Sequence, residues 1–252
     1  MEYKKHLLAT TLSTPFMFYT SVPNLNATAQ EALNQANEAF QANDFQKTAE
    51  LYKKAVDAAP SSAHLWANLG ALLCGQGVFN EGVKMLTRAI ELDKKCAGAH
   101  YNLGTFYLNS NMFDQAEQLF QEAVKMDPES VAALNNLGIA QFHQHKFEQA
   151  EKSFEAASAK NSNFDFSHHN MGMIFFERNE VPRAIVEFEK ALALNANNFT
   201  TMNSLACALF LENKTDEALA YFKKSVNINP YYRMPYCNIG YIAITKNLLK
   251  FS

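Results

Sequence analysis

The sequence predicts an all-α solenoid of stacked helix pairs, and three observations carry that expectation. The stretch 97–130, AGAHYNLGTFYLNSNMFDQAEQLFQEAVKMDPES, matches the chain again when slid by 34 residues in either direction, without a gap. Small residues recur at fixed phase: Gly70, Gly104, Gly138, Gly172 and Gly240 at one, with Ala36 and Ala206 in the same slot, Gly82, Ala116, Ala150, Ala184 and Ala218 at a second, and Ala55, Ala89, Ala123, Ala157, Ala191 and Ser225 at a third. Large apolar residues recur as their partners: Tyr52, Leu86, Phe120, Phe154, Phe188 and Phe222 at one phase, and Phe45, Phe79, Phe113 and Phe147 at another. A glycine inside a helix costs about 1 kcal/mol against alanine. Five at one phase need a compensating gain, and close approach of helices supplies it.

Each unit holds two helical patterns and two breaks. In 97–130, His100, Leu103, Tyr107 and Leu108 repeat at three- and four-residue spacing, as do Ala116, Leu119, Phe120, Ala123 and Val124; both sets mark one apolar face. Asn109-Ser110-Asn111 ends the first pattern, because asparagine tolerates a left-handed cap. Asp127-Pro128 ends the second, because proline disfavours helix at the residue before it. Six units follow, at 29–62, 63–96, 97–130, 131–164, 165–198 and 199–232, together spanning 29–232. Lys94, Ser162 and Ala196 replace the closing proline, Gln35 suits a terminal unit that faces water, and Thr215 replaces the aromatic of the sixth unit.

Residues 1–28 form a leader. Lys4, Lys5 and His6 precede an apolar run from Leu7 to Tyr19, and Ala27-Thr28-Ala29 gives a small-x-small site. Two readings stay open: an export signal cut after Ala29, or a cytoplasmic leader that is disordered or loosely docked. The second is preferred, because Thr10, Thr11, Ser13, Thr14 and Pro15 dilute the apolar run. That run is too short and polar to span a bilayer. Asn26-Ala27-Thr28 matches a glycosylation sequon. At the other end, residues 233–252 begin a seventh unit whose helix is apolar nearly all round, through Tyr236, Ile239, Tyr241, Ile242, Ile244, Leu248, Leu249 and Phe251. Such an end either docks something, including another copy of the chain, or belongs to a longer array.

With 252 residues, 48% of them hydrophobic, the chain can bury a sizeable core, and a net charge of -3 argues against nucleic acid as partner. Cys74, Cys96, Cys207 and Cys237 show no metal or disulfide spacing and read as reduced thiols within helices. No Gly-rich phosphate loop, nucleophile elbow or HExxH occurs. His143 and His145 stand two apart and point to different helix faces, and His100 and His168 hold the slot of Trp66. No catalytic residues, cofactor or metal are expected.

The pattern Trp66-Ala67-Asn68-Leu69-Gly70, and Leu103-Gly104 through Pro128, resembles the tetratricopeptide repeat over all six units. The resemblance implies a right-handed superhelix whose concave face is lined by the first helix of each unit. On those helices Asn34, Asn68, Asn102, Asn136, Asn170 and Asn238 share one phase, with Ser204 as the exception. The row is similar to the asparagine ladder inside the repeat superhelix of the O-GlcNAc transferases, without their catalytic domain. An amide offers two donors and one acceptor, so one per unit can hold the backbone of an extended peptide; a consensus residue with a local structural job is the alternative. Tyr101, Phe142, His169, Phe176 and Phe210 lie beside the row and favour an apolar or aromatic peptide, or a partner helix. Asn37 and Asn68 match two positions of the carboxylate clamp of chaperone-tail receptors. Leu33, Gly98 and Asn102 stand where its basic residues belong, so no clamp is expected. The chain thus reads as a non-enzymatic scaffold or adaptor with a protein or peptide partner and no integral membrane segment. The alternatives are self-assembly through 233–252 and an exported envelope assembly factor.

Overall fold

The computed structural model describes residues 14–248. The export reading therefore turns largely on residues outside the described ones, as do Leu249 and Phe251 of the apolar end. Thirteen helices and no strand occur among the described residues: α1 Ala27–Gln41, α2 Phe45–Ala58, α3 Ala63–Gly75, α4 Phe79–Leu92, α5 Ala97–Asn109, α6 Phe113–Met126, α7 Val131–His143, α8 Phe147–Lys160, α9 Asp165–Glu177, α10 Val181–Leu194, α11 Phe199–Leu211, α12 Thr215–Ile228 and α13 Arg233–Leu248. Residues 14–145 and 146–248 form two compact units. In the first, α1 packs on α2, α3 on α4, and α5 on α6, with α7 against α6; in the second, α9 packs on α10 and α11 on α12, flanked by α8 and α13.

The turn inside each helix pair has one backbone solution. Asn43, Asn111, His145, Asn179 and Asn213 all lie at φ between 58° and 63°, and Gly77 at 81°. At α5 the Asn111 N–H donates to Leu108 O at 3.0 Å and the Met112 N–H to Tyr107 O at 2.9 Å, the reciprocal pair of a left-handed helix cap. The second break is more robust than the closing proline alone implies. Where that proline is replaced, α4, α8 and α10 still stop two residues earlier, and the capping Asp93, Asn161 and Asn195 accept the N–H of Lys95, Asn163 and Asn197 at 2.9, 3.0 and 3.3 Å. The same Asx turn accompanies Pro128 and Pro230, through Asp127 and Asn229 at 3.2 and 3.1 Å, so it ends the helix with or without proline.

Small against large is what sets the helix contacts. Tyr52, Leu86, Phe120, Phe154, Phe188 and Phe222 are all buried, as are the alanines of both recurring phases. A Cβ on Gly104 would lie 2.9 Å from the Phe120 ring, one on Gly172 2.6 Å from Phe188, and one on Gly70 2.7 Å from Leu86. The other aromatic phase behaves differently from the sequence expectation. Phe45 and Phe79 are exposed and Phe113 and Phe147 only half-buried, because these rings stand at the rim of the layer, whereas Val181 at the same phase is buried. There these rings meet the ends of first helices, Phe79 on Phe106 at 5.6 Å and Phe113 stacked on His143 at 4.6 Å.

The leader is structured where it is described. Residues 14–26 run without helix up to α1, and the Asn26 side chain caps it by accepting the Ala29 N–H at 2.8 Å. The same amide donates to Ala58 O at 2.6 Å, so a glycan on Asn26 would have to take the other Nδ2 hydrogen. Ala29 itself lies inside α1 and is fully buried; cleavage after it would sever the first helical turn.

Gly172 and Gly240 share a phase but not an environment, since nothing lies within 4 Å of a Cβ on Gly240. Gly240→Ala is therefore expected to stabilise by up to about 1 kcal/mol through helix propensity. Gly172→Ala is expected to destabilise by roughly 1–3 kcal/mol through overpacking against Phe188. Thermal melts followed by circular dichroism check the pair; equal shifts would refute the packing account.

Candidate functional site: a ladder of asparagines on an extended strap

The 34-residue spacing brings Asn68 of α3, Asn102 of α5 and Asn136 of α7 onto one face of the 14–145 unit, where all three are fully buried. The sequence reading left that face open for a partner. The structure lays the chain's own residues 14–22 across it. Each amide grips a single strap residue by both of its backbone groups. Asn136 Oδ1 accepts the Thr14 N–H at 2.9 Å and its Nδ2 donates to Thr14 O at 3.1 Å. Asn102 holds Met17 in the same way at 2.7 and 2.8 Å, and Asn68 holds Tyr19 at 2.8 and 2.7 Å. The gripped residues stand three and two apart. At about 3.3 Å per extended residue that spans roughly 7–10 Å per rung, the width of a helix.

The ladder turns off at its first repeat. Asn34 is exposed and accepts from Gln30 Nε2 at 2.9 Å, away from the strap. Asn37, one turn further on, donates instead to Thr20 O at 2.9 Å and accepts the Tyr52 hydroxyl at 3.3 Å. The reason is chain reach: the strap must leave the face after Thr20 to feed α1 at Ala27, through the left-handed Asn24 at φ 58°. Burial pushes the Tyr52 phenol up to about 12, so it stays a donor.

Among the other expected site residues, Tyr101 is buried and donates its hydroxyl to Pro15 O at 2.7 Å, within 2.7 Å of Thr14 Oγ1. Asn136 Nδ2 also reaches the Tyr101 oxygen at 3.2 Å, closing a network around the strap's Thr14. Phe142 is buried with its ring edge-on to His143 at 5.4 Å. In the 146–248 unit the expected residues lie on α9, α11 and α13. Asn170 and Phe176 are buried; His169 Nδ1 lies 2.9 Å from Thr201 Oγ1; Phe210 is half-buried, 6.3 Å from the Tyr241 ring. Asn238 Nδ2 donates to Asn203 Oδ1 at 3.0 Å.

Sequence reasoning missed the strap residues and the surfaces that receive them. The Phe18 ring lies 4.7 Å from Phe40, Val22 is buried in the core cluster with Leu33 and Tyr52, and Tyr19 lies against that cluster and the one formed around Leu86 and Leu103. The signal available was the even run of β-branched and aromatic residues from Phe16 to Val22, which favours extended backbone. Asn37 was read only against the clamp pattern. Beside the strap runs an apolar cleft of about 400 Å³, edged by Phe16, Phe18, Phe40, Phe45 and Leu72.

No group of three or more His, Cys, Asp or Glu side chains that could hold a metal ion occurs among the described residues, and no described helix is long and apolar enough to cross a membrane. Burial pushes the thiols of Cys74, to about 11, and of Cys96 and Cys207 upward, away from the reactive thiolate form.

Family models described as tetratricopeptide repeat match residues 33–77, 107–165 and 199–229. Those segments make up more than half of the chain, which belongs to the tetratricopeptide-repeat family. Repeats of this family are protein-interaction scaffolds. Among curated proteins, the SGT1 homolog of Oryza sativa subsp. japonica is 37% identical over 67 residues, which cover 27% of this chain and only 18% of that protein. Among solved structures, pilF of Pseudomonas aeruginosa is similar with a TM-score of 0.71 at 18% identity, over 83% of this chain and 95% of that one. YrrB, described as a TPR protein with an unusual peptide-binding site, is similar with a TM-score of 0.57 at 20% identity, over 75% of this chain and 97% of that one.

The strap depends on the ladder in a way that exchange can read. Asn102→Ala removes both contacts to Met17, and Asn102→Asp keeps the acceptor but sets a carboxylate against the Met17 carbonyl. Both are expected to speed hydrogen exchange at the Met17 amide by about tenfold, with helicity nearly unchanged. Unaltered exchange would show that the strap is held by other means.

Proposed function

We propose that this chain is a non-enzymatic scaffold that takes up an extended peptide segment of a partner protein across α1, α3, α5 and α7. The strap is then its built-in competitor. The observation that supports the reading is the double grip, in which Asn68, Asn102 and Asn136 each bind the N–H and the C=O of one extended residue. Such contacts are blind to the side chain of the residue held, so they transfer from the strap to any chain of the same conformation. Proline, which has no N–H to give, is excluded at a rung.

A tethered ligand acts at an effective concentration in the millimolar range. If the strap fills the groove for 99% of the time, a partner binds about a hundredfold more weakly than to an empty groove. The groove therefore answers only to segments that are locally concentrated or that out-compete the strap on side-chain contacts. In return, the buried amides never face an empty site that lacks hydrogen-bond partners.

Exchange between strap and partner is tested by adding a carbon-13-labelled peptide of residues 13–26 to the full chain and following hydrogen exchange by mass. At saturating peptide, the resident residues 14–21 are expected to lose protection while α3, α5 and α7 keep theirs. Asn102→Ala with Asn136→Ala should abolish the effect with little change in melting temperature. A resident strap that stays protected at millimolar peptide would make it a fixed part of the fold and end this reading.

A further inference from the structure

The ladder holds backbone, so selectivity has to come from side chains lodged between the rungs. Tyr19 is placed to supply it. Its ring enters between the start of α3 and the start of α5, edge-on to His64 with ring centroids 4.2 Å apart and planes at 83°. At the end of this socket the Gly98 N–H donates to the tyrosine hydroxyl at 2.8 Å, with Cys96 Sγ 3.8 Å from the same oxygen. Gly98 lies in the first turn of α5, where an N–H has no acceptor within its own helix. The phenol oxygen satisfies it.

The socket exists because Gly98 has no side chain. A Cβ there would stand 2.5 Å from the Tyr19 hydroxyl and 2.7 Å from two ring carbons. No left-handed backbone accounts for this glycine, and alanine is the better helix former at such a position. His64 and Gly98 stand 34 residues apart and so share a phase, which Ala132, Phe166 and Thr200 fill in later units. The socket thus belongs to this one junction between repeats, unlike the ladder, which recurs.

We propose that this socket is a tyrosine-selecting pocket, and that the partner segment taken up in the groove carries an unmodified tyrosine there, in place of Tyr19. The proposal rests on the reading of the groove as an exchangeable peptide site. Phenylalanine fills the same volume but leaves the Gly98 N–H without an acceptor. A phosphate on the hydroxyl has no room, since that oxygen already sits at hydrogen-bond distance from backbone. The occupant is a separate protein rather than a second copy. The chain from Thr20 to Asn26, which joins the strap to α1, reaches roughly 20–25 Å fully extended, and reciprocal exchange of straps would force two α1 helices within that reach.

The test uses the full chain carrying Tyr19→Ala, which empties the socket and keeps its walls, and a fluorescent peptide of residues 13–21 read by anisotropy. The peptide is expected to bind this host at least tenfold more tightly than the wild-type chain. Replacing its tyrosine by phenylalanine should weaken it roughly tenfold, the worth of one net hydrogen bond of about 1.4 kcal/mol. Alanine or phosphotyrosine there should reduce binding below detection. Gly98→Ala in the host should erase the difference between tyrosine and phenylalanine, and a Tyr19→Phe host provides a second background if Tyr19→Ala loses helicity. Equal binding of all four peptides would overturn the pocket while leaving the peptide-binding reading intact. Failure of every peptide to bind in both hosts would overturn both. A stable dimer of the wild-type chain in light scattering that Gly98→Ala dissolves would overturn the assignment to a separate partner.

Discussion

A buried amide side chain has to be answered on both of its ends, and the structure depends on how that is done. Asn68, Asn102 and Asn136 are each shut off from solvent, and each would forfeit the solvation of three hydrogen-bonding sites if left unpaired. An extended residue offers one donor and one acceptor along the same edge, which is the complement of a primary amide. The strap supplies three such edges at the spacing the repeats impose. Helix packing places the asparagines, the asparagines require a backbone or water, and the nearest backbone is the segment just before α1.

This pairing differs in kind from the contacts that build the helix layers. Phe120 against Gly104 and Phe188 against Gly172 are matched by shape, and a single added carbon disturbs them. The grip on the strap is matched by hydrogen-bonding polarity and tolerates any residue able to lie extended with a free N–H. Shape matching makes a fixed scaffold, and polarity matching is what the proposed exchange of one segment for another relies on. Tyr19 joins the two. Its backbone is held by Asn68 in the general way, while its ring fills a socket cut to fit by the missing side chain of Gly98.

Much of this was legible in the residues. The period predicted helix pairs, and Asn109-Ser110-Asn111 predicted a left-handed turn, which occurs at Asn111 and recurs at Asn43, Gly77, His145, Asn179 and Asn213. A row of asparagines at one phase predicted a backbone-facing ladder, and Asn68, Asn102 and Asn136 hold the backbone of residues 14–19. Asn34 does not, because the segment that would reach it has to turn back into α1, a constraint of chain connectivity that no phase count contains. Asn238 Nδ2 donates to Asn203 Oδ1. Phe45 and Phe79 share a phase with half-buried rings yet stand at the rim, since a helix period does not tell where a layer ends.

By itself the sequence determined the repeat, its turns, the small-to-large pairing and the alignment of the amides, because each follows from local propensity and spacing within one unit. Tertiary structure alone decided what the amides hold. Thr14 and Asn136 are far apart along the chain, and nothing in either neighbourhood refers to the other. They meet because stacked helices carry Asn136 to the place that a strap entering α1 must cross, where burial leaves each polar group the other as its answer.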